Sequence, residues 1–219
     1  NFLGGSVTIP FKETISHILK KNLSREAKII GAVNCLFRDK KKLKGTNTDG
    51  EGALVAFNNF KAPKKIKNIS ILGCGGAGKA VIAYFAKKFK KAKINVFTTN
   101  KKNNLFIKKI KARLCKWKEL DKIIYDSNLI INCTSIGFGE KTNSSPLDNT
   151  IIKKLRKNTI IYDVIYQPRM TKFLYYAKKN NLKYLNGLEM NLQQAAIGFL
   201  YVNKNFKNLN TIKKIMNKK

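Results

Sequence analysis

The chain has 219 residues, 43% of them hydrophobic, with 45 Lys and Arg against 12 Asp and Glu and a formal net charge of +33. That length suits one large domain or two small ones around a real core, and no apolar run reaches the roughly 18 residues that a membrane helix needs. The first ten residues lack the charged and apolar stretches of a secretory signal, and Asn1 stands where an initiator Met would, as expected of a fragment or a processed product. The charge points toward nucleic acid. Against that, only Arg25, Arg38, Arg113, Arg156 and Arg169 are arginines, the residue that base and phosphate readers favour for its bidentate fork, and the lysines are spread over nearly every segment. A solvated basic surface is the better reading, with weak polyanion binding at low salt. Cys35, Cys74, Cys115 and Cys133 are widely spaced and read as reduced thiols in a cytoplasmic protein. With His17 the single histidine, no metal site is expected.

In chain order, Gly5–Ile9 reads as a short strand leading into Pro10 at a helix start. Ala32–Asp39 and Leu43–Thr48 read as two strands around a Lys-rich turn. Ile66–Leu72 is a buried strand and Ala77–Lys88 a helix with Val81, Ile82, Phe85 and Phe89 on one side. Lys93–Thr98, Asn128–Cys133 and Thr159–Ile165 are further strands, and Asn103–Ala112, Met170–Lys179 and Leu188–Asn203 are helices. Near-continuous apolar strands alternating with helices predict a parallel α/β sheet covered on both faces. Residues 1–52 and 188–219 are expected to form one lobe and 53–187 the other.

After the strand ending at Leu72 the chain reads Gly73-Cys74-Gly75-Gly76-Ala77-Gly78 and enters a helix. This is G-x-G-x-x-G in the strand-to-helix context that a dinucleotide fingerprint requires. Gly73 permits the tight turn, Gly75 lets backbone approach a pyrophosphate, and Gly78 lets helix and strand pack closely; the free N–H groups of the helix start then meet the phosphate charge. Lys79 follows, but the glycine spacing is wrong for a P-loop and Ala80 stands where Ser or Thr is needed. The same unit bears on cofactor choice. An NAD enzyme usually holds the ribose 2′-OH with an acid after the second strand, and no Asp or Glu occurs between Glu51 and Glu119. Asn100, Lys101 and Lys102 instead offer charge for a 2′-phosphate.

Further stretches flank this motif: Gly5-Ser6-Val7-Thr8-Ile9-Pro10-Phe11-Lys12, Gly31-Ala32-Val33-Asn34, Gly45-Thr46-Asn47-Thr48-Asp49-Gly50, Asn132-Cys133-Thr134-Ser135-Ile136-Gly137, Tyr162-Asp163-Val164-Ile165-Tyr166, and Gly187-Leu188-Glu189-Met190 followed by Gln193-Gln194-Ala195-Ala196. In this order the set resembles shikimate dehydrogenase over essentially the whole chain. The resemblance implies an α/β fold, a Rossmann-type parallel-sheet NADP domain plus a smaller, incomplete α/β substrate-binding lobe. It implies NADPH-dependent reduction of 3-dehydroshikimate to shikimate, with Lys12 and Asp49 as the catalytic pair. It places Thr8, Asn34, Tyr166 and Gln194 on the substrate. It places Gly75, Gly76 and Ala77 at the pyrophosphate, with Gly73 in the same cofactor-binding turn, Asn100, Lys101 and Lys102 near the adenosine phosphate, and Val164 and Gly187 near the nicotinamide. The chemistry suits such a pair: an ammonium can supply a proton to a ketone oxygen as negative charge builds there, and a carboxylate can orient it. Without the resemblance, Lys12 would read as a solvated lysine and Asp49 as a helix N-cap. A small-molecule partner and a homodimer are expected, with no specific nucleic acid and no membrane.

The sequence departs from the family in places. Ser6 replaces Asn, Cys35 replaces Thr, Glu189 adds a charge, and Leu105 falls near an expected second phosphate-binding Arg. The family's opening Ser-x-Ser for the substrate carboxylate is missing from these residues, so the substrate lobe is expected to have an incomplete pocket and an exposed sheet edge. Two alternatives stay open: an NAD-using quinate/shikimate dehydrogenase, and a catalytically impaired basic Rossmann protein that binds polyanions.

Overall fold

A computed structural model of the chain describes residues 2–60, 65–206 and 208–217; at Lys101 the backbone alone is described. Strands β1 (Gly4–Ser6), β2 (Cys35–Asp39) and β3 (Lys42–Thr46) form an antiparallel sheet in the order β1-β2-β3. β1 is shorter than the predicted Gly5–Ile9. After Ser6 one more bond is made, from the Val7 N–H to the Asn34 carbonyl, and the Phe11 N–H then closes a turn on the Thr8 carbonyl (2.9 Å). Two helices border this sheet, α1 (Lys12–Leu19) and α2 (Arg25–Ile30).

The second sheet is fully parallel. Strands β4 (Asn68–Leu72), β5 (Lys93–Phe97), β6 (Arg113–Cys115), β7 (Leu129–Asn132), β8 (Ile160–Asp163) and β9 (Lys183–Leu185) lie in the order β6-β5-β4-β7-β8-β9. Alternation splits their apolar residues between two faces. Ile69, Ile71, Val96 and Ile131 pack on one side, against Val81, Ile82 and Phe85 of helix α4 (Gly76–Lys88) and Phe57 of α3 (Asp49–Asn59). Leu72, Phe97, Ile130 and Ile161 pack on the other, against Phe173 and Leu174 of α8 (Lys172–Lys179). Short helices α5 (Asn104–Lys109), α6 (Leu120–Ile124) and α7 (Asn149–Lys153) complete the cover. Phe89, predicted on the buried side of α4, is the residue that ends that helix. Strand order reverses between β4 and β7, and such a switch point leaves a crevice at the carboxyl ends of the strands.

Helix α9 (Leu188–Val202) and helix α10 (Leu209–Met216) bring the chain back to the first sheet. α9 runs along α3 and reaches β2. Gly52 allows that approach, since a Cβ there would stand 2.8 Å from the Gln194 nitrogen and the Met190 carbonyl oxygen. No described helix is long and apolar enough to cross a membrane. The four cysteines are free, and burial pushes the Cys35 and Cys74 thiols up to about 11.

Candidate active site

Three chain segments that are distant in sequence meet at the start of α3. Lys12 is the first residue of α1 and Asp49 the first of α3. The Lys12 Nζ lies 2.6 Å from the Asp49 Oδ2, with side chains 15% and 6% exposed. Asp49 is therefore not the N-cap that its position suggests. Thr48 holds the cap position and makes no side-chain cap bond, while the Asp49 carboxylate is turned onto Lys12 and Asn34. A carboxylate in the first helical turn is favoured by the helix dipole.

Asn34 organises the cluster. Its Nδ2 is within bonding distance of the Asp49 Oδ1 (2.8 Å), the Thr48 Oγ1 (3.0 Å) and the Gln194 Oε1 (3.1 Å), and its Oδ1 accepts from the Thr48 N–H (2.8 Å). Thr48 also donates its hydroxyl to the Gln194 carbonyl oxygen (2.9 Å). Asn47 ties the loop below: its Nδ2 donates to the Ala32 carbonyl and its Oδ1 accepts from the Asp49 N–H. The sequence gives Asn47 and Thr48 no role of their own. Their signal is position inside N-T-D-G, and their function, clamping Asn34 and the Asp49 backbone, is a matter of contacts.

The glycine turn comes directly against this cluster. A Cβ on Gly76 would sit 3.2 Å from the Lys12 Cβ and 3.5 Å from that of Ala32. Gly73 has φ +95°, and Gly75 flanks the start of a 13-residue helix with nothing within 4 Å of where a Cβ would be. This is an open cradle of backbone N–H groups of the kind that holds a pyrophosphate. Asn103, which sequence reasoning does not single out, donates its buried Nδ2 to the Cys74 carbonyl (2.8 Å) and so ties the turn to the loop after β5. In that loop the Asn100 Oδ1 accepts from the Lys102 N–H (3.0 Å), and Lys102 is exposed. The Lys101 side chain lies outside the described residues.

Val164 and Gly187 meet through their backbones: the Gly187 N–H donates to the Ile165 carbonyl (3.0 Å), and a Cβ on Gly187 would fall 2.0 Å from the Val164 carbonyl oxygen. Thr8 and Tyr166 are exposed and stand outside the hydrogen-bonded cluster of the described residues. Glu189 accepts from Asn59 and from Gln193, whose Nε2 is 2.6 Å away, so its carboxylate is engaged along α9.

Beneath the crevice lies one buried acid. Asp163 is 0% exposed and accepts from the Thr171 hydroxyl (2.7 Å), the Asn132 Nδ2 (3.0 Å) and the Ile165 N–H (3.1 Å). Burial, opposed by those three donors, pushes its carboxyl up to about 6 from an ordinary 3.8. The folded chain thus holds this proton more tightly than the unfolded one. The folded state carries no penalty from Asp163 below about pH 4, acquires one between pH 4 and 6, and bears it fully above, about 3 kcal/mol in all. Unfolding free energies at pH 4 and pH 7 should show wild type losing about that much relative to Asp163→Asn; an equal pH response in both proteins would refute the assignment.

Residues 1–36 match the family described as the shikimate dehydrogenase substrate binding domain. A shikimate dehydrogenase (NADP(+)) of Synechocystis sp. is 36% identical over 200 residues, covering 88% of this chain and 69% of the relative. The chain belongs to the shikimate dehydrogenase family. Another member, from Nitrosopumilus maritimus, is 37% identical over 201 residues, covering 90% of this chain and 71% of its own length. Among solved structures, the shikimate 5-dehydrogenase of Listeria monocytogenes in complex with shikimate and NAD superposes with a TM-score of 0.81 at 28% identity, over 99% of this chain and 78% of that one. The enzyme of Thermus thermophilus in complex with NADP(H) and shikimate gives 0.80 at 28%, over 97% and 77%. The fold of this shikimate dehydrogenase family member therefore superposes on about three quarters of each of these solved relatives.

Proposed function

We propose that this chain is an NADP-dependent shikimate dehydrogenase, an oxidoreductase that interconverts 3-dehydroshikimate and shikimate. The observation that carries the reading is the Lys12–Asp49 pair, 2.6 Å apart and mostly buried, standing directly against Gly76 of the dinucleotide turn. When bound, NADPH supplies the hydride for the ketone carbon. Lys12 donates a proton to the ketone oxygen as charge builds there. Asp49 holds the Lys12 ammonium in place, and Asn34 holds Asp49. Asn34 and Gln194, joined through one hydrogen bond, offer amide groups suited to a ring polyol, with Thr8 and Tyr166 bordering the substrate. Gly73, Gly75, Gly76 and Ala77 receive the pyrophosphate, and Val164 and Gly187 border the nicotinamide. Residues 1–52 and 188–219 form the substrate lobe and 53–187 the dinucleotide lobe, a division supported by the two separate sheets and by the return of α9 to α3 and β2. A cytoplasmic homodimer completes the reading, and light scattering in solution would test the dimer.

The test is NADP reduction driven by shikimate, run in parallel with NAD. Turnover with NADP supports the reading, and its absence with either cofactor overturns it. Asn100, Lys101 and Lys102 are assigned to the 2′-phosphate, supported by the lack of any acid between Glu51 and Glu119. Lys102→Ala should raise KM for NADP about three- to tenfold, the worth of one exposed charge-assisted contact, while leaving KM for NAD unchanged. An equal rise for both cofactors would remove Lys102 from the phosphate site.

A further inference from the structure

Lys79 has no place in the dinucleotide fingerprint and fails the P-loop spacing, yet its side chain is only 12% exposed. A lysine so far out of water needs a partner for its ammonium. The partner is Glu13, whose Oε2 lies 3.1 Å from the Lys79 Nζ. Glu13 is the residue after Lys12 in the first turn of α1, and Lys79 lies one turn into α4. Among the described residues this is the one ion pair that joins the first-sheet half of the protein to the parallel-sheet half. Long side chains on a helix lean toward its N-terminus, which for Lys79 is the end of α4 that carries the glycine turn. On that turn a Cβ at Gly76 would stand 3.2 Å from the Lys12 Cβ.

We propose that Glu13 and Lys79 form a strap across the cleft that positions Lys12 against the dinucleotide-binding turn. The two contacts divide the task. Asp49 fixes the tip of Lys12, and the strap fixes the helix turn that carries its backbone. Glu13 is 43% exposed, and a pair open to water on one side adds little to stability. Its effect lies in geometry, to which transfer between two bound reactants is sensitive. The strap also accounts for the lysine itself: its charge is matched by Glu13 and is not offered to phosphate.

This inference rests on the shikimate dehydrogenase reading, so wild-type turnover is the reference. Glu13→Gln and Lys79→Met should each lower kcat about tenfold, as expected for a small displacement of a reacting group, with KM for NADPH within about twofold because the cofactor cradle is untouched. The double variant should be no slower than the worse single one, because both remove the same contact. Lys79→Arg, which keeps the charge, should stay near wild type. Unchanged kcat in the single variants, or losses that multiply in the double, would overturn the strap. A raised KM for NADPH at constant kcat in Lys79→Met would also overturn it and assign the lysine to the dinucleotide. A readout independent of turnover is acetylation of Lys12 by an amine reagent, followed by peptide mass spectrometry. It should be faster in both single variants, and equal rates would refute the strap even if wild type proved inert toward shikimate.

Discussion

Lys12→Met is expected to lower kcat about 100- to 10,000-fold, the range for removal of a positioned general acid, while NADPH still binds. Methionine keeps the stem that lies against Gly76 and deletes the ammonium, so the loss reports proton donation and not packing. The variant also leaves the Asp49 carboxylate, 6% exposed, without its cation. Breaking a buried pair in this way costs about 3–5 kcal/mol, so a lowered melting temperature should accompany the lost turnover. Asp49→Asn should lose kcat as well, and the double variant should be no worse than Lys12→Met, because the two side chains act as a unit. Steady-state kinetics with NADPH binding followed by fluorescence checks all three. A Lys12→Met enzyme with near wild-type kcat would remove the residue from the chemistry.

The second large effect is expected at Gly73. With φ +95° and a would-be Cβ only 2.8 Å from the carbonyl carbon and oxygen of Cys133, Gly73→Ala meets both backbone strain and a backbone clash. Strain of this kind alone costs about 1–3 kcal/mol. With the clash added, a loss of about 2–4 kcal/mol is expected, or roughly 5–15 °C in melting temperature for a chain of this size. The turn must move to relieve the clash, so NADPH affinity should fall with it. Gly139→Ala separates the causes, since Gly139 has φ +58° and nothing within 4 Å of a Cβ. It should cost only the strain and leave NADPH binding intact. If Gly73→Ala bound NADPH normally, the turn would not be the pyrophosphate cradle.

Much of this was legible from residues alone. The strands β4, β7 and β8 are apolar runs buried on both faces, and burial on both faces is what a parallel sheet demands. The helices α4 and α9 were read to within a residue at each end, because long apolar periodicity outweighs local noise. The glycine turn followed from its strand-to-helix context, and Lys12, Asn34, Asp49 and Gln194 followed from the resemblance. Edges were harder. β6 and β9 are three residues each at the flanks of the sheet, Arg-Leu-Cys and Lys-Tyr-Leu, too short and too mixed to show a period. The short helices α2, α6 and α7 fail for the same reason. Helix α8 begins at Lys172 and not at Met170 because the Thr171 hydroxyl caps it, accepting from the Leu174 N–H, a local bond that hydrophobic periodicity does not register.

What only the tertiary structure decided is which polar groups face each other. Asp49 could cap its helix or hold Lys12, and the approach of α1 to the start of α3 decides for Lys12. Asn103 on the Cys74 carbonyl, Thr171 and Asn132 on Asp163, and Glu13 on Lys79 are contacts between elements brought together by packing. Apolar burial is periodic along the chain and so is written in order in the sequence. A buried hydrogen bond or ion pair is set by the distance between two side chains, and that distance exists only once both sheets are formed and α3 and α9 have locked them together.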